Sequence, residues 1–249
     1  MPLLNNLKTA LTPEYQSDAS QPEKPIATNQ DSLRIVIGLL GISLPLILLF
    51  GLYGFSGHAR PLESISHYFY TRISSAFIIT LGLLAIILMV YKGKKPIDFV
   101  LSFIAGIFAL CVVIFPTSNL APECHHADFL YSITFIEPDH IYSGFHFFSA
   151  AVFLVSLALM SFFRFPQDDS SDEKPGMLDK TLYRTCGIIM ILALLTIALG
   201  KLGILFDKSW FEHPNSATFW LEAVAVWAFG YSWLLKAGFF SKLSNFVLK

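Results

Sequence analysis

From about residue 33 onward the chain is a succession of apolar blocks separated by short polar stretches. Six blocks stand out, at residues 35–55, 74–91, 99–115, 141–163, 186–206 and 217–235. Each approaches or exceeds the roughly 20 helical residues that cross a bilayer. Backbone N–H and C=O groups have no water to bond in lipid, and a helix satisfies them within one segment. The pattern therefore predicts an all-α integral membrane protein, a bundle of six transmembrane helices. The third and sixth blocks, of 17 and 19 residues, are short and are expected to extend into their flanks. Pro45 falls inside the first block and predicts a kink there. Gly38, Gly41, Gly51 and Gly54 lie in the same block, where small residues let helices approach closely. No internal repeat is evident. The expected organisation is a largely disordered cytoplasmic tail at 1–32, a membrane domain at 33–240 and a cytoplasmic tail at 241–249.

Composition agrees. The 249 residues are 54% hydrophobic and only 14% charged, against about a quarter charged in soluble domains. The net charge of −1 comes with no dense basic tract, which argues against nucleic-acid partners. The three cysteines, Cys111, Cys124 and Cys186, form no evident pair, so no disulfide framework is expected. Residues 1–32 lack the apolar core of a secretory signal, so the first apolar block is expected to stay in the membrane as a signal anchor. Leu3, Leu4, Leu7 and Leu11 are spaced as in a short amphipathic surface helix, the alternative to a disordered tail.

Lysines and arginines set the orientation. Lys92, Lys94 and Lys95 follow the second block, and Arg164, Lys174, Lys180 and Arg184 follow the fourth. Lys8, Lys24 and Arg34 precede the first block; Lys236, Lys242 and Lys249 end the chain. In a six-span topology all of these share one side, whereas the opposite loops hold only Arg60, Arg72 and Lys208. Both termini are thus expected in the cytoplasm of a bacterial cell, with the protein in its inner membrane. Tyr68, Phe69, Tyr70, Trp210 and Trp220 then fall at the outer interface as an aromatic belt, and Trp233 at the inner one.

This topology puts all seven histidines on the outer side: His58, His67, His125, His126, His140, His146 and His213. Glu63, Asp128, Glu137, Asp139, Glu212 and Glu222 are there too. His146 and Glu222 lie inside blocks, where an ionisable group is costly and is a functional candidate by default. Lys201 in the fifth block is the expected counter-charge of Glu222. His67 and Arg72 enter the second block from the same side. These five residues, His67, Arg72, His146, Lys201 and Glu222, make a candidate ligand site between facing helices. Two plainer roles remain open: Glu222 pairing with Lys201 or Arg72 to hold helices, and His146 donating to a carbonyl. His67, His146 and Glu222 also have the donor chemistry of a zinc site. A second cluster, Glu123, Cys124, His125, His126 and Asp128, offers zinc or copper donors without a recognised spacing, and reads equally as an outer loop. Ser64, Ser66, Ser74 and Ser75 flank His67, but no acid completes a triad in sequence; serines here are expected to bond their own backbone. No phosphate loop, nucleophile elbow or metalloprotease helix is present.

The run SISHYFYT, AGIFALCVVIFPTSN, GFHFFSAAVFLVSLALMSFF, YRTCGIIM and WLEAVAVWAFGYSWLLKAG resembles a family of bacterial inner-membrane proteins without an established activity. More distantly it resembles Frag1-like proteins and the membrane hydrolases of the ceramidase and progestin-receptor superfamily. The last resemblance implies a Ser, an Asp and three His around zinc, with His67 and Ser64 or Ser66 standing for the early pair. The chain departs from it twice: the last block holds no histidine, and Ser75 stands where an acid is expected.

Three functions follow as expectations. The first is a protein that binds a small polar ligand or lipid headgroup at the outer cluster. The second is a metal-dependent membrane hydrolase, and the third a structural subunit of a membrane complex. The bilayer, such a ligand and further copies of the chain as a homo-oligomer are the partners these imply.

Overall fold

The structure is a computed structural model, and it describes residues 25–117, 132–134, 140–167, 176–211 and 215–247. The leucines at 3–11, the Glu123–Asp128 cluster, Glu137, Asp139, Glu212 and His213 lie outside the described residues. Helices occupy all six expected stretches: α1 (Pro25–Ser56), α2 (Ser74–Val90), α3 (Pro96–Ile114), α4 (His140–Leu159), α5 (Met177–Lys201) and α6 (Ala217–Lys236). A short α7 (Phe239–Val247) follows. Four of these, α1, α3, α4 with its extension to Arg164, and α5, are long and apolar enough to cross a membrane; α2 is apolar but shorter. The described residues thus form an all-helical membrane protein with several spans.

Each of the six helices packs on the next in sequence, and α6 returns to α1, so the bundle closes into a ring. Lipid tails are as apolar as leucine, so close packing rather than escape from water must hold such helices together. The α1–α6 contact shows how. A Cβ on Gly38 would lie 2.8 Å from the Gly230 carbonyl oxygen, and one on Gly230 only 2.7 Å from that of Gly38. Only glycine lets these two backbones meet. Pro45 lies within α1, which continues past it. Pro45 has no N–H to give the preceding turn, and Trp227 Nε1 donates to the nearby Ile42 carbonyl at 3.1 Å. At the start of α3, Asp98 Oδ2 accepts the N–H groups of Lys94 and Lys95 at 3.1 and 3.0 Å, capping the helix behind Pro96.

Four expectations are corrected. The first helix begins at Pro25, well before residue 35 and inside the stretch read as a tail. The fifth stretch shifts: α5 starts at Met177 and stops at Lys201 rather than running to 206, because the chain turns at Gly203 with φ +68. Lys201 is therefore a helix-terminal residue, not one inside a span. Tyr68 and Tyr70 are not interface anchors, being 0% and 2% exposed. Trp233 is fully buried between Tyr91, Phe165 and Phe229 instead of lying at an interface. Trp210 and Trp220 are exposed, as a belt requires.

Candidate functional site

The stretch before α2 does not run along the surface. Ile65–Tyr70 forms a 3-10 turn with Ile65, Ser66, His67, Tyr68 and Tyr70 buried. Irregular backbone at such depth is tolerated only when protein satisfies its polar groups. Two long-range bonds do this. The Ile65 N–H donates to Glu222 Oε2 on α6 at 2.7 Å. The Phe219 N–H, an orphan donor of the first turn of α6, donates to the Glu63 carbonyl at 2.8 Å. On the other flank the Tyr70 hydroxyl donates to the Thr117 carbonyl, and the Ile133 N–H to the Tyr70 carbonyl at 2.8 Å. Burial pushes the Tyr70 phenol up to about 12, so it stays a neutral donor.

This turn gathers the ionisable side chains. Glu63 Oε1 lies 3.5 Å from Lys201 Nζ, and Glu63 Oε2 lies 3.8 Å from His67 Nε2. Glu63 is 8% exposed and Lys201 27%, so the pair is sheltered but open on the lysine side. The lysine also sits 4.7 Å above the Phe147 ring of α4, where the π face attracts it. Lys201 and Glu63 are both near enough to Glu222 to act on it electrostatically. The partner of Lys201 in the described ion pair is thus Glu63, not Glu222. Glu222 holds the turn.

Two serine–histidine bonds complete the cluster. His67 Nδ1 lies 2.7 Å from Ser64 Oγ. With Nε2–H facing the Glu63 carboxylate, Nδ1 is the acceptor for the Ser64 hydroxyl. His146 Nδ1 lies 2.7 Å from the Phe115 carbonyl, and Nε2 lies 2.9 Å from Ser66 Oγ. A carbonyl only accepts, so Nδ1 carries the proton, and in the neutral ring Nε2 accepts from Ser66. Ser64 and Ser66 bond histidines rather than backbone, contrary to expectation.

Of the five expected site residues, His67, His146, Lys201 and Glu222 converge on the turn, and Arg72 is exposed. Glu63, Ser64 and Ser66 are central and were not among the five. Their signal is a cluster of polar residues packed between two apolar blocks, which does not reveal which way each side chain turns. The set does not fit zinc. His146 commits both ring nitrogens, Glu222 binds the turn, and among the described residues no three His, Cys, Asp or Glu side chains gather as ligands. No protein-family model, curated protein or solved structure matches the chain.

Proposed function

We propose that the chain is a six-span inner-membrane protein of bacterial type, with both termini cytoplasmic, that binds a small polar molecule or a lipid headgroup at its outer end. The observation that carries this reading is the meeting of Glu63, His67, Lys201 and Glu222 around one turn. Charged and imidazole groups in a membrane bundle are costly and are kept where a site needs them. Lys201, the more exposed member of its ion pair, offers an ammonium to a phosphate or carboxylate. Glu63 and Glu222 offer carboxylates to an ammonium. A headgroup carrying both charges would meet both. Extraction of lipids and small molecules from the purified protein tests this. The expected result is one polar species retained at near-stoichiometric amount and lost in Lys201→Met. Retention of bulk lipid alone, unchanged by that substitution, overturns it.

The two serine–histidine bonds favour a second reading, metal-independent acyl hydrolysis. A hydroxyl bonded to an imidazole that is oriented through its other nitrogen is the arrangement of an activated nucleophile. Ser66 with His146, oriented by the Phe115 carbonyl, meets this geometry best. A serine-directed fluorophosphonate should label the protein and fail to label Ser66→Ala. Absence of labelling in the intact protein removes this reading.

A further inference from the structure

The chain beyond α5 does not leave the bundle as a polar loop. Leu202, Ile204, Leu205, Phe206 and Trp210 are each half exposed or more, outside any spanning helix. The segment is held by its own bonds. The Ile204 N–H donates to the Leu199 carbonyl and the Gly203 N–H to that of Gly200, both at 2.9 Å, which closes α5 in a Schellman turn. Asp207 Oδ1 accepts the Ser209 N–H at 2.9 Å, and Asn215 Nδ2 donates to the Ser209 carbonyl at 2.9 Å. A 3-10 turn at Lys208–Phe211 brings Phe211 back over α5, where any side chain on Gly200 would overlap its ring. A turn that satisfies its own N–H groups is suited to contact with lipid, which offers them no acceptor.

The place of this turn in the chain points the same way. Although α5 as a whole is long enough to span, its uncharged part between Arg184 and Lys201 covers only roughly 24 Å at about 1.5 Å per residue, against an acyl core of about 30 Å. The apolar residues at 202–206 make up that shortfall, and charge resumes at Asp207 and Lys208, both exposed. Exposed Leu192 and Leu195 carry the apolar surface of α5 toward the turn. On this register Lys201 lies between two apolar stretches, at the level where acyl chains meet headgroups. Its ammonium is the open side of the pair with Glu63, and the Phe147 ring beneath it is exposed as well. A lysine so placed keeps its stem among acyl chains and its charge at the level of lipid phosphates.

We propose that the apolar side chains at 202–210 are immersed in the bilayer, and that the Lys201–Glu63 site therefore opens sideways and takes a phospholipid headgroup rather than a molecule from water. This rests on the ligand-binding reading above and names its ligand class. Tryptophan fluorescence of the full chain in phosphatidylglycerol and phosphatidylethanolamine vesicles tests the immersion. Lipids brominated in the upper acyl chain should quench a component of the emission that Trp210→Phe removes, and aqueous iodide should not reach it. Quenching of that component by iodide, or by neither quencher, overturns the proposal even where a ligand is retained. Ile204→Ser combined with Leu205→Ser changes only exposed side chains and should leave the melting temperature in detergent unchanged. It should lower the phosphatidylglycerol retained on the purified protein at least about tenfold. Glycerol phosphate in excess should not displace that lipid. Unchanged retention in the double variant, or displacement by glycerol phosphate, also overturns the proposal. An immersed Trp210 with no species retained through Lys201 would instead remove the ligand-binding reading itself, and the lipid assignment with it.

Discussion

At one end of the bundle, Glu63, Lys201 and Glu222 meet through a non-helical turn; at the other, Asp98 and Arg164 pair directly from the ends of α3 and α4. The first arrangement depends on Ile65–Tyr70 being folded inward, and its groups are held by backbone of distant sequence. The second joins the start of α3 directly to the end of the π-helical extension of α4, side chain to side chain across 66 positions. The first leaves its lysine partly open; the second encloses both partners. One end leaves its lysine open to exchange, and the other encloses its ion pair.

Substitutions that remove one partner at each end sharpen the contrast. Asp98→Leu should have the largest effect. It strands Arg164 in a buried position and uncaps α3, and should cost about 3–5 kcal/mol in a detergent unfolding experiment. A loss below that of any change at the Glu63–Glu222 end would mean the Asp98–Arg164 pair is not the firmer one. Glu222→Leu should come next, at about 1–3 kcal/mol, because it leaves the buried Ile65 N–H without an acceptor. Glu222→Gln keeps an acceptor oxygen and should cost less. Equal losses for the two would show that charge, not the hydrogen bond to the turn, is what matters. Lys201→Met should cost about 1–2 kcal/mol, between an exposed pair and a buried one, since its side chain is 27% exposed. Its effect on retained ligand should exceed its effect on stability.

The smallest effect concerns pH. Tyr70 has its phenol raised from 10.0 to about 12. Between those values the unfolded chain gives up a proton that the folded one keeps. Stability from this group is therefore complete below pH 10 and falls as pH rises toward 12. Tyr70→Phe should flatten that part of the stability profile, while costing about 1 kcal/mol at neutral pH for the bond to Thr117. An unchanged alkaline limb would mean that other groups govern it.

Much of the scaffold was legible in the chain because hydrophobic length carries it. Six apolar blocks gave six helices, and Gly38 and Gly41 marked a face that packs on α6. Block ends were less legible. Gly203 stopped α5 at Lys201, where hydropathy alone ran on to residue 206. Within the candidate site, the place of His146 and Glu222 inside apolar blocks was enough to single them out, because ionisable groups are costly in apolar surroundings. Glu63, Ser64 and Ser66 were passed over because a polar stretch between spans looks the same whether it points outward or folds in. Tyr68 and Tyr70 were misplaced for the same reason: aromatic residues at a block edge suit an interface belt and a buried turn equally well.

The sequence by itself determined that this chain belongs in a membrane, roughly where its helices lie, and that His146 and Glu222 stand inside apolar blocks. Those follow from local hydrophobicity and charge, which neighbouring residues cannot reverse. Only the tertiary structure decided that Glu222 holds a backbone turn, that Lys201 pairs with Glu63, and that His146 and His67 each bond a serine. All but the local His67–Ser64 bond join residues from separate elements, across as many as 157 positions of chain. The buried 3-10 turn satisfies its polar groups on α6 and on the chain at Thr117 and Ile133, because buried backbone and hydroxyl groups need partners.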